Sequence, residues 1–487
     1  MYYLYTMRHL FFFCKRKTKY RAALGCLLIF ISLWGLSLTA LAETVDFQAE
    51  AEARKELPIQ SNETSGWPEG PAIGAEAAIL MDARTGTILY SKNIHEELFP
   101  ASTTKIMTCL LAVENANLGD KITFSNDAVF SVPRDGSSIG MDVGESITLE
   151  QALYGIMVGS ANEVANAVAE HVSGSIDEFV ALMNKRAKEL GCTNTHFSNP
   201  NGLQTDDHYT SAYDLSLIAR AFFDNELLCK VGNTPRYHFT ATDTQPDDFY
   251  LNNKHKLITG EVKYDGIVGG KTGYTDQARE TLVTCAERDG IKLICVVLKE
   301  ESPSQFTDTA VLFNYGFNNF EAINVSQNDS RYMPNDSLFF ESEHDVFGKS
   351  GAILSLDENS TIIIPKTSSI EDTTYTVSYD LTQNDLAVNP NALAKVIYTF
   401  NDVPIGNALL CYAGSSSDGS KGGSSHTHTT YINVKYLFVF AVVFVLLTTL
   451  ICSVITRVHF SHKYTSKSDR MRYRRRKKEY KKGHVRF

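Results

Sequence analysis

The sequence predicts an α+β fold, one antiparallel sheet with helices packed on it. Two strand-like runs open the globular part, several helical stretches follow, and further strand runs come only afterwards. Strands segregated from helices in this way favour antiparallel pairing over alternating βαβ units. Hairpin signals join the runs at both ends, and the helical stretches carry apolar residues at three-to-four spacing.

The elements follow in order. Residues 43–70 are polar and acidic with Ser, Asn and Gly, and read as a flexible lead-in. From Pro71 the texture is globular. Ala77–Met81 and Thr87–Tyr90 flank Asp82–Gly86, two strands around a Gly-containing loop. Phe99-Pro100-Ala101-Ser102 leads into a helix over Thr104–Ala116. Leu149–His171 holds two helical stretches broken around Gly159-Ser160, and Ile176–Leu190 is an amphipathic helix closed by Gly191. Ser198–Gly202 is a turn and Ser211–Phe223 is helical again. Gly266–Gly273 has strand and turn character. Thr281–Cys285 and Lys292–Leu298 are strands joined through Asp289-Gly290, and Phe306–Phe317 is the last helix. These elements define a domain over 71–320. Beyond it, short alternating runs at Ser337–Glu341, Thr361–Ile364, Tyr375–Tyr379, Lys395–Phe400 and Ala408–Tyr412 predict a small β domain over 321–413.

The chain has 487 residues, enough for two or three domains, with an ordinary apolar fraction of 43%. Its net charge of −10 is unevenly spread. Residues 457–487 carry thirteen Lys/Arg against two acids, and the first 42 residues carry six Lys/Arg and no acid, which leaves a strongly acidic body. An acidic body argues against a nucleic-acid partner. Ala22–Ala42 is uncharged, follows a basic stretch and ends Ala-Leu-Ala, so 1–42 reads as a signal peptide; an uncleaved anchor is the alternative. Tyr436–Thr456 has 21 uncharged residues, enough to span a bilayer core of ~30 Å. The basic tail 457–487 is then expected in the cytoplasm and the body outside. The intervening 414–435 is a Gly/Ser-rich linker whose His426 and His428 lack the fixed geometry of a metal site. The nine cysteines show no metal spacing; the six outside the membrane segments leave a disulfide open, though none is expected, and no cofactor is expected.

Three short motifs carry the chemistry: Ser102-Thr103-Thr104-Lys105, Ser160-Ala161-Asn162 and Lys271-Thr272-Gly273. Ser102 falls at the expected N-terminus of a helix, where free N–H groups favour developing negative charge. Lys105, three residues on, lies on the same face. It can take the Ser102 proton only if burial and a second cation, with Lys271 the candidate, lower its pKa from ~10.4. The Ser160 hydroxyl both donates and accepts, so it can relay a proton, and the Asn162 amide can hold a substrate carbonyl. Gly273 lets a peptide approach the strand closely, and Lys271 and Thr272 offer a charge and a hydroxyl to a carboxylate. Each motif alone is equally a helix cap with a surface lysine, a cap, or a Gly-rich turn. All three in this order supply what acyl transfer needs.

The set matches the Ser-x-x-Lys, Ser-x-Asn and Lys-Thr-Gly of penicillin-binding proteins and β-lactamases. With Phe99–Thr108, Asn199–Leu203, His208–Asp214 and Gly270–Thr275, the chain resembles the serine-type D-alanyl-D-alanine carboxypeptidases. The resemblance implies a penicillin-binding/β-lactamase-like transpeptidase domain, followed by the β domain and a C-terminal transmembrane helix. It implies Ser102 as acylated nucleophile, Lys105 as base and Ser160 as relay. Asn162 would hold the substrate backbone, and Lys271 and Thr272 its carboxylate. The N–H groups of Ser102 and Tyr274 would form the oxyanion hole. The implied partners are peptidoglycan stem peptides, β-lactams as acylating inhibitors, and the cytoplasmic membrane. Two departures stand out. Arg279-Glu280 replaces the usual Gly after Ala278, which puts substrate range in question, and Ala161 stands where Gly is common. A transpeptidase uses the same motifs, as does a β-lactamase, though no Glu-x-x-Leu-Asn follows the second motif. A wall-binding protein without turnover is the non-enzymatic alternative.

Overall fold

The computed structural model describes residues 46–329 and 354–412, with Thr448, Met471, Arg472 and Arg474 besides. The elements named below belong to the first of two units, Met1–Ser415. The expected signal peptide, the strand at Ser337–Glu341, the linker, the membrane span apart from Thr448, and most of the basic tail lie outside the described residues. Among the described residues no helix is long and apolar enough to cross a membrane.

Helix α1 (Phe47–Arg54) precedes β1 (Ala77–Asp82) and β2 (Ile88–Lys92). A 3₁₀ turn at Ala101–Thr104 runs into α2 (Lys105–Asn115). Then come β3 (Lys121–Thr123), α3 (Asn126–Phe130), β4 (Ser146–Thr148), α4 (Leu149–Met157), α5 (Asn162–Ser173) and α6 (Ile176–Glu189). Helices α7 (Ala212–Phe223) and α8 (Glu226–Gly232) lead to the hairpin of β5 (Arg236–Phe239) and β6 (Phe249–Asn252). Strands β7 (Ile267–Thr275), β8 (Arg279–Arg288) and β9 (Ile291–Glu300) follow, then α9 (Ser304–Asn319). The remainder holds β10 (Phe320–Asn324), β11 (Leu354–Leu356), β12 (Thr361–Pro365), β13 (Thr374–Ser378), α10 (Gln383–Val388), β14 (Ala392–Phe400) and β15 (Val403–Tyr412).

The main sheet runs β2-β1-β9-β8-β7, antiparallel throughout, with β7 on the edge. Helices cover both faces, so its central strands are apolar on both sides. Alternate residues serve different cores. Ala77, Ile79, Met81, Val283, Ile294 and Val296 join α2, α4, α5 and α7 on one face. Ala78, Leu80, Leu282, Leu293 and Val297 join Phe306, Leu312 and Phe313 of α9 on the other. The β8–β9 turn, Asp289-Gly290, has both residues at positive φ, 52° and 78°, as a twist-matched two-residue hairpin requires. Helix α2 is buried from Lys105 to Ala112, and this central position is what buries Lys105.

The β domain does not stand apart. Its sheet, β10-β12-β15-β14-β13, feeds Ile362, Ile364, Tyr398 and Phe400 into the same core as α9. The six described cysteines are free, five of them buried.

The described part of the lead-in expected to be flexible, residues 46–70, is ordered. Asp46 caps α1, and Arg54 donates to the Gly74 carbonyl at 2.8 Å. Trp67 rests against Phe320 and Phe400 and donates to the Leu89 carbonyl at 2.9 Å. Its polar composition hides one large apolar anchor, which pins the segment between the two sheets. Trp67→Ala is expected to cost about 3–5 kcal/mol, read as a lower midpoint in chemical denaturation.

Candidate active site

The site forms where the 3₁₀ turn, the α4–α5 break and edge strand β7 meet. Ser102 lies in the 3₁₀ turn, one step before the α-helix proper, rather than at the α-helix N-terminus itself. The turn is clamped at Pro100, whose carbonyl accepts from Thr103 Oγ1 at 2.7 Å and from Thr281 Oγ1 of β8 at 2.9 Å. Gly202 (φ 84°) makes a close approach to the same turn, since a Cβ there would sit 1.9 Å from the Ala101 carbonyl oxygen.

Lys105 is wholly buried. Its Nζ lies 3.0 Å from Ser102 Oγ and donates to Asn162 Oδ1 at 2.6 Å and to the carbonyl of Asn201. Burial first, and then the charge of Lys271, hold its pKa well below the ordinary value. This geometry suits the neutral amine. Two N–H bonds serve the two carbonyl oxygens, and the remaining lone pair faces the serine hydroxyl.

Ser160 breaks the helical run in the left-handed region, at φ 58°, unusual for a residue with a side chain. The break turns its hydroxyl toward β7, where Lys271 Nζ donates to Ser160 Oγ at 3.0 Å and to the Thr272 carbonyl at 2.8 Å. Burial, reinforced by Lys254, lowers the Lys271 pKa to about 7. Gly273 allows β7 to pass close to the serine. A Cβ there would meet Thr281 Oγ1 at 2.4 Å and Ser102 N at 2.8 Å. Tyr274 follows, with its side chain half exposed. The structure therefore brings Ser102, Lys105, Ser160, Asn162, Lys271, Thr272, Gly273 and Tyr274 to one place.

Two supporting residues, Asn201 and His208, fall in the stretches Asn199–Leu203 and His208–Asp214 that carried the resemblance, but the sequence assigned them no role. Asn201 gives its backbone carbonyl to Lys105, and its side chain donates to Asn166 Oδ1 at 2.9 Å. His208 is buried, which lowers its pKa to about 4. Its Nδ1 accepts from Ser198 N, which leaves the proton on Nε2 to donate to Thr104 Oγ1 at 2.8 Å. Glu163 accepts from Ser138 Oγ and Ile139 N at 2.8 and 2.7 Å, and Asn162 N donates to the Ser137 carbonyl. Those bonds fasten residues 137–139 against the N-terminus of α5. The turn over Ser198–Gly202, read in the sequence, is the segment that brings the Asn201 carbonyl to Lys105.

The Arg279-Glu280 departure is resolved in part. Arg279 makes a two-pronged ion pair with Glu301, at 2.9 and 2.6 Å, so its charge is compensated locally.

The family model for D-alanyl-D-alanine carboxypeptidase, Peptidase_S11, matches residues 64–302. Over 256 residues the chain is 32% identical to the D-alanyl-D-alanine carboxypeptidase DacB2 of Mycobacterium tuberculosis, which takes in 51% of this chain and 84% of that relative. The chain belongs to the D-alanyl-D-alanine carboxypeptidase family. The chain is also 38% identical over 253 residues to the D-alanyl-D-alanine carboxypeptidase DacF of Bacillus subtilis; that match takes in 51% of this chain and 63% of DacF, just under two thirds of its length. Penicillin binding protein 5 from Haemophilus influenzae superposes with a TM-score of 0.55 at 25% identity, over 71% of this chain and 98% of that chain. The structural likeness thus takes in more of the chain than residues 64–302.

Proposed function

We propose that this carboxypeptidase removes the terminal D-Ala from peptidoglycan stem pentapeptides through an acyl-enzyme on Ser102. The placement of the buried Lys105 Nζ, 3.0 Å from Ser102 Oγ, carries this reading. Lys105 takes the hydroxyl proton as Oγ bonds to the penultimate D-Ala carbonyl carbon. The oxyanion is held by the N–H groups of Ser102 and Tyr274. The proton reaches the leaving amine through Ser160, the C–N bond breaks, and D-Ala departs. Water then hydrolyses the ester, with Lys105 again taking a proton. Asn162 holds the substrate backbone, and Lys271 and Thr272 hold the terminal carboxylate. A β-lactam acylates Ser102 by the same first step.

D-Ala release from a pentapeptide ending in D-Ala-D-Ala is expected from the full chain and not from Ser102→Ala. Absence of release from the parent, with Ser102 still labelled by a fluorescent penicillin, would point instead to transfer to an amine or to binding without turnover.

The two lysines make the rate pH-dependent with opposite signs. Lys105 acts when neutral, so activity rises as pH climbs through its lowered pKa. Lys271 acts when charged, so activity falls as pH climbs past about 7 in the free enzyme. A bell-shaped kcat/KM is expected, with the alkaline limb of kcat displaced upward because a bound carboxylate favours charged Lys271. A rate that keeps rising to pH 10 would contradict this division of roles.

We further propose that residues 22–42 direct export and that 436–456 anchors the enzyme, with the catalytic unit outside and 457–487 in the cytoplasm. The length of the uncharged run and the basic tail support this. Protease added to intact cells is expected to remove the catalytic unit and spare a C-terminal tag.

A further inference from the structure

Beside the end of β7, away from the Lys105 pocket, lies a cleft of about 490 Å³. Asp46 and Phe47 of the N-terminal segment form one wall; Tyr274, Arg279, Glu280 and Glu301 form the other. The wall from α1 stands outside residues 64–302, the part matched by the family. The cleft is a built one. The Arg279 guanidinium stacks 3.8 Å from the Phe47 ring centroid and donates to Tyr274 Oη at 3.3 Å, while Glu301, nearly buried, grips it from behind.

The proposed catalytic reading, on which this inference rests, fixes what reaches this cleft. A carboxylate at Lys271 and Thr272, and a scissile carbonyl between the N–H groups of Ser102 and Tyr274, set the substrate antiparallel to β7. The residue before the two D-Ala units then passes Tyr274 and Thr275. Extended residues point alternately to the two faces. One face is filled by the serine turn at Gly273. The other leads to Tyr274 and its cross-strand partner Glu280.

Charge decides the occupant. Arg279 is compensated by Glu301, which Arg54 also approaches at 3.7 Å. Asp46 spends one oxygen on capping α1. The half-buried Glu280 carboxylate has no hydrogen bond or close ion pair among the described residues; the charges of Arg279 and Lys256 act on it from beyond contact distance, and that of Glu301 opposes them. Such a group lowers its energy by meeting a cation. We propose that this cleft is a specificity subsite for the side chain preceding D-Ala-D-Ala, and that Glu280 selects one bearing a free primary amine.

The test compares D-Ala release by the full-length enzyme from acetyl-L-lysyl-D-Ala-D-Ala with its side-chain amine free or acetylated. A preference of about tenfold in kcat/KM for the free amine is expected, the scale of one charge-assisted hydrogen bond. Glu280→Gln is expected to bring the ratio near unity and Glu280→Lys to reverse it. Labelling of Ser102 by fluorescent penicillin reports that each variant is folded. Equal kcat/KM for the two peptides in the parent, or an unchanged ratio in Glu280→Gln, overturns the subsite. No release from either peptide by the parent overturns the catalytic reading beneath it, and the subsite with it.

Discussion

Lys105→Met is expected to slow acylation of Ser102 by roughly 10²–10⁴, the usual contribution of a positioned base. Methionine matches the unbranched stem and keeps the centre of α2 filled, so the loss reports chemistry rather than collapse. No second base stands ready. Lys271 Nζ is committed to Ser160 Oγ and the Thr272 carbonyl. His208, whose pKa is about 4, faces Thr104 and not Ser102. The rate is measured by stopped-flow acylation with a chromogenic cephalosporin, with a thermal melt to verify folding. Retention of a tenth or more of the parent rate would mean that the proton leaves by Ser160 and Lys271 instead.

Gly273→Ala is expected to cost a comparable amount for a steric reason. The added methyl has to displace Ser102 N or Thr281 Oγ1, and Thr281 holds the carbonyl that clamps the serine turn. Misplacing one oxyanion donor typically costs ~10²–10³ in kcat. Lys105 and Lys271 keep their partners, so the pH profile keeps its shape while its height falls. Penicillin labelling and D-Ala release are expected to drop together. Activity within about threefold of the parent would show that β7 yields by sliding along the sheet edge, and that the close approach is not required.

Much of the fold was legible because its signals are local. The helical spacing over Thr104–Ala116, the break at Gly159-Ser160 and the Asp289-Gly290 turn each became the expected element, within a few residues. The β5–β6 hairpin passed unread, as its short strands, Arg236–Phe239 and Phe249–Asn252, are separated by nine polar or loop residues with no tight-turn signal. The lead-in was misread because composition averages over Trp67 and Arg54, and a single anchored side chain suffices to order a short segment.

By itself the sequence determined the reagents: a serine and a lysine one helical turn apart, a hydroxyl and an amide at a helix break, and a lysine on a glycine-bearing strand. Tertiary structure decided their state. Lys105 is a usable base because α2 lies at the centre of the helical layer and because the Asn201 carbonyl, far along the chain, accepts one of its N–H bonds. Lys271 is poised near neutrality because β7 is covered at that point while its edge stays open. Arg279 is compensated because the end of β9 brings Glu301 beneath it, and the cleft beside it exists because α1 folds back across the same edge. Desolvation and charge pairing depend on neighbours distant in the chain. Spacing along the sequence can name the groups, but only the folded arrangement sets how strongly each holds its proton.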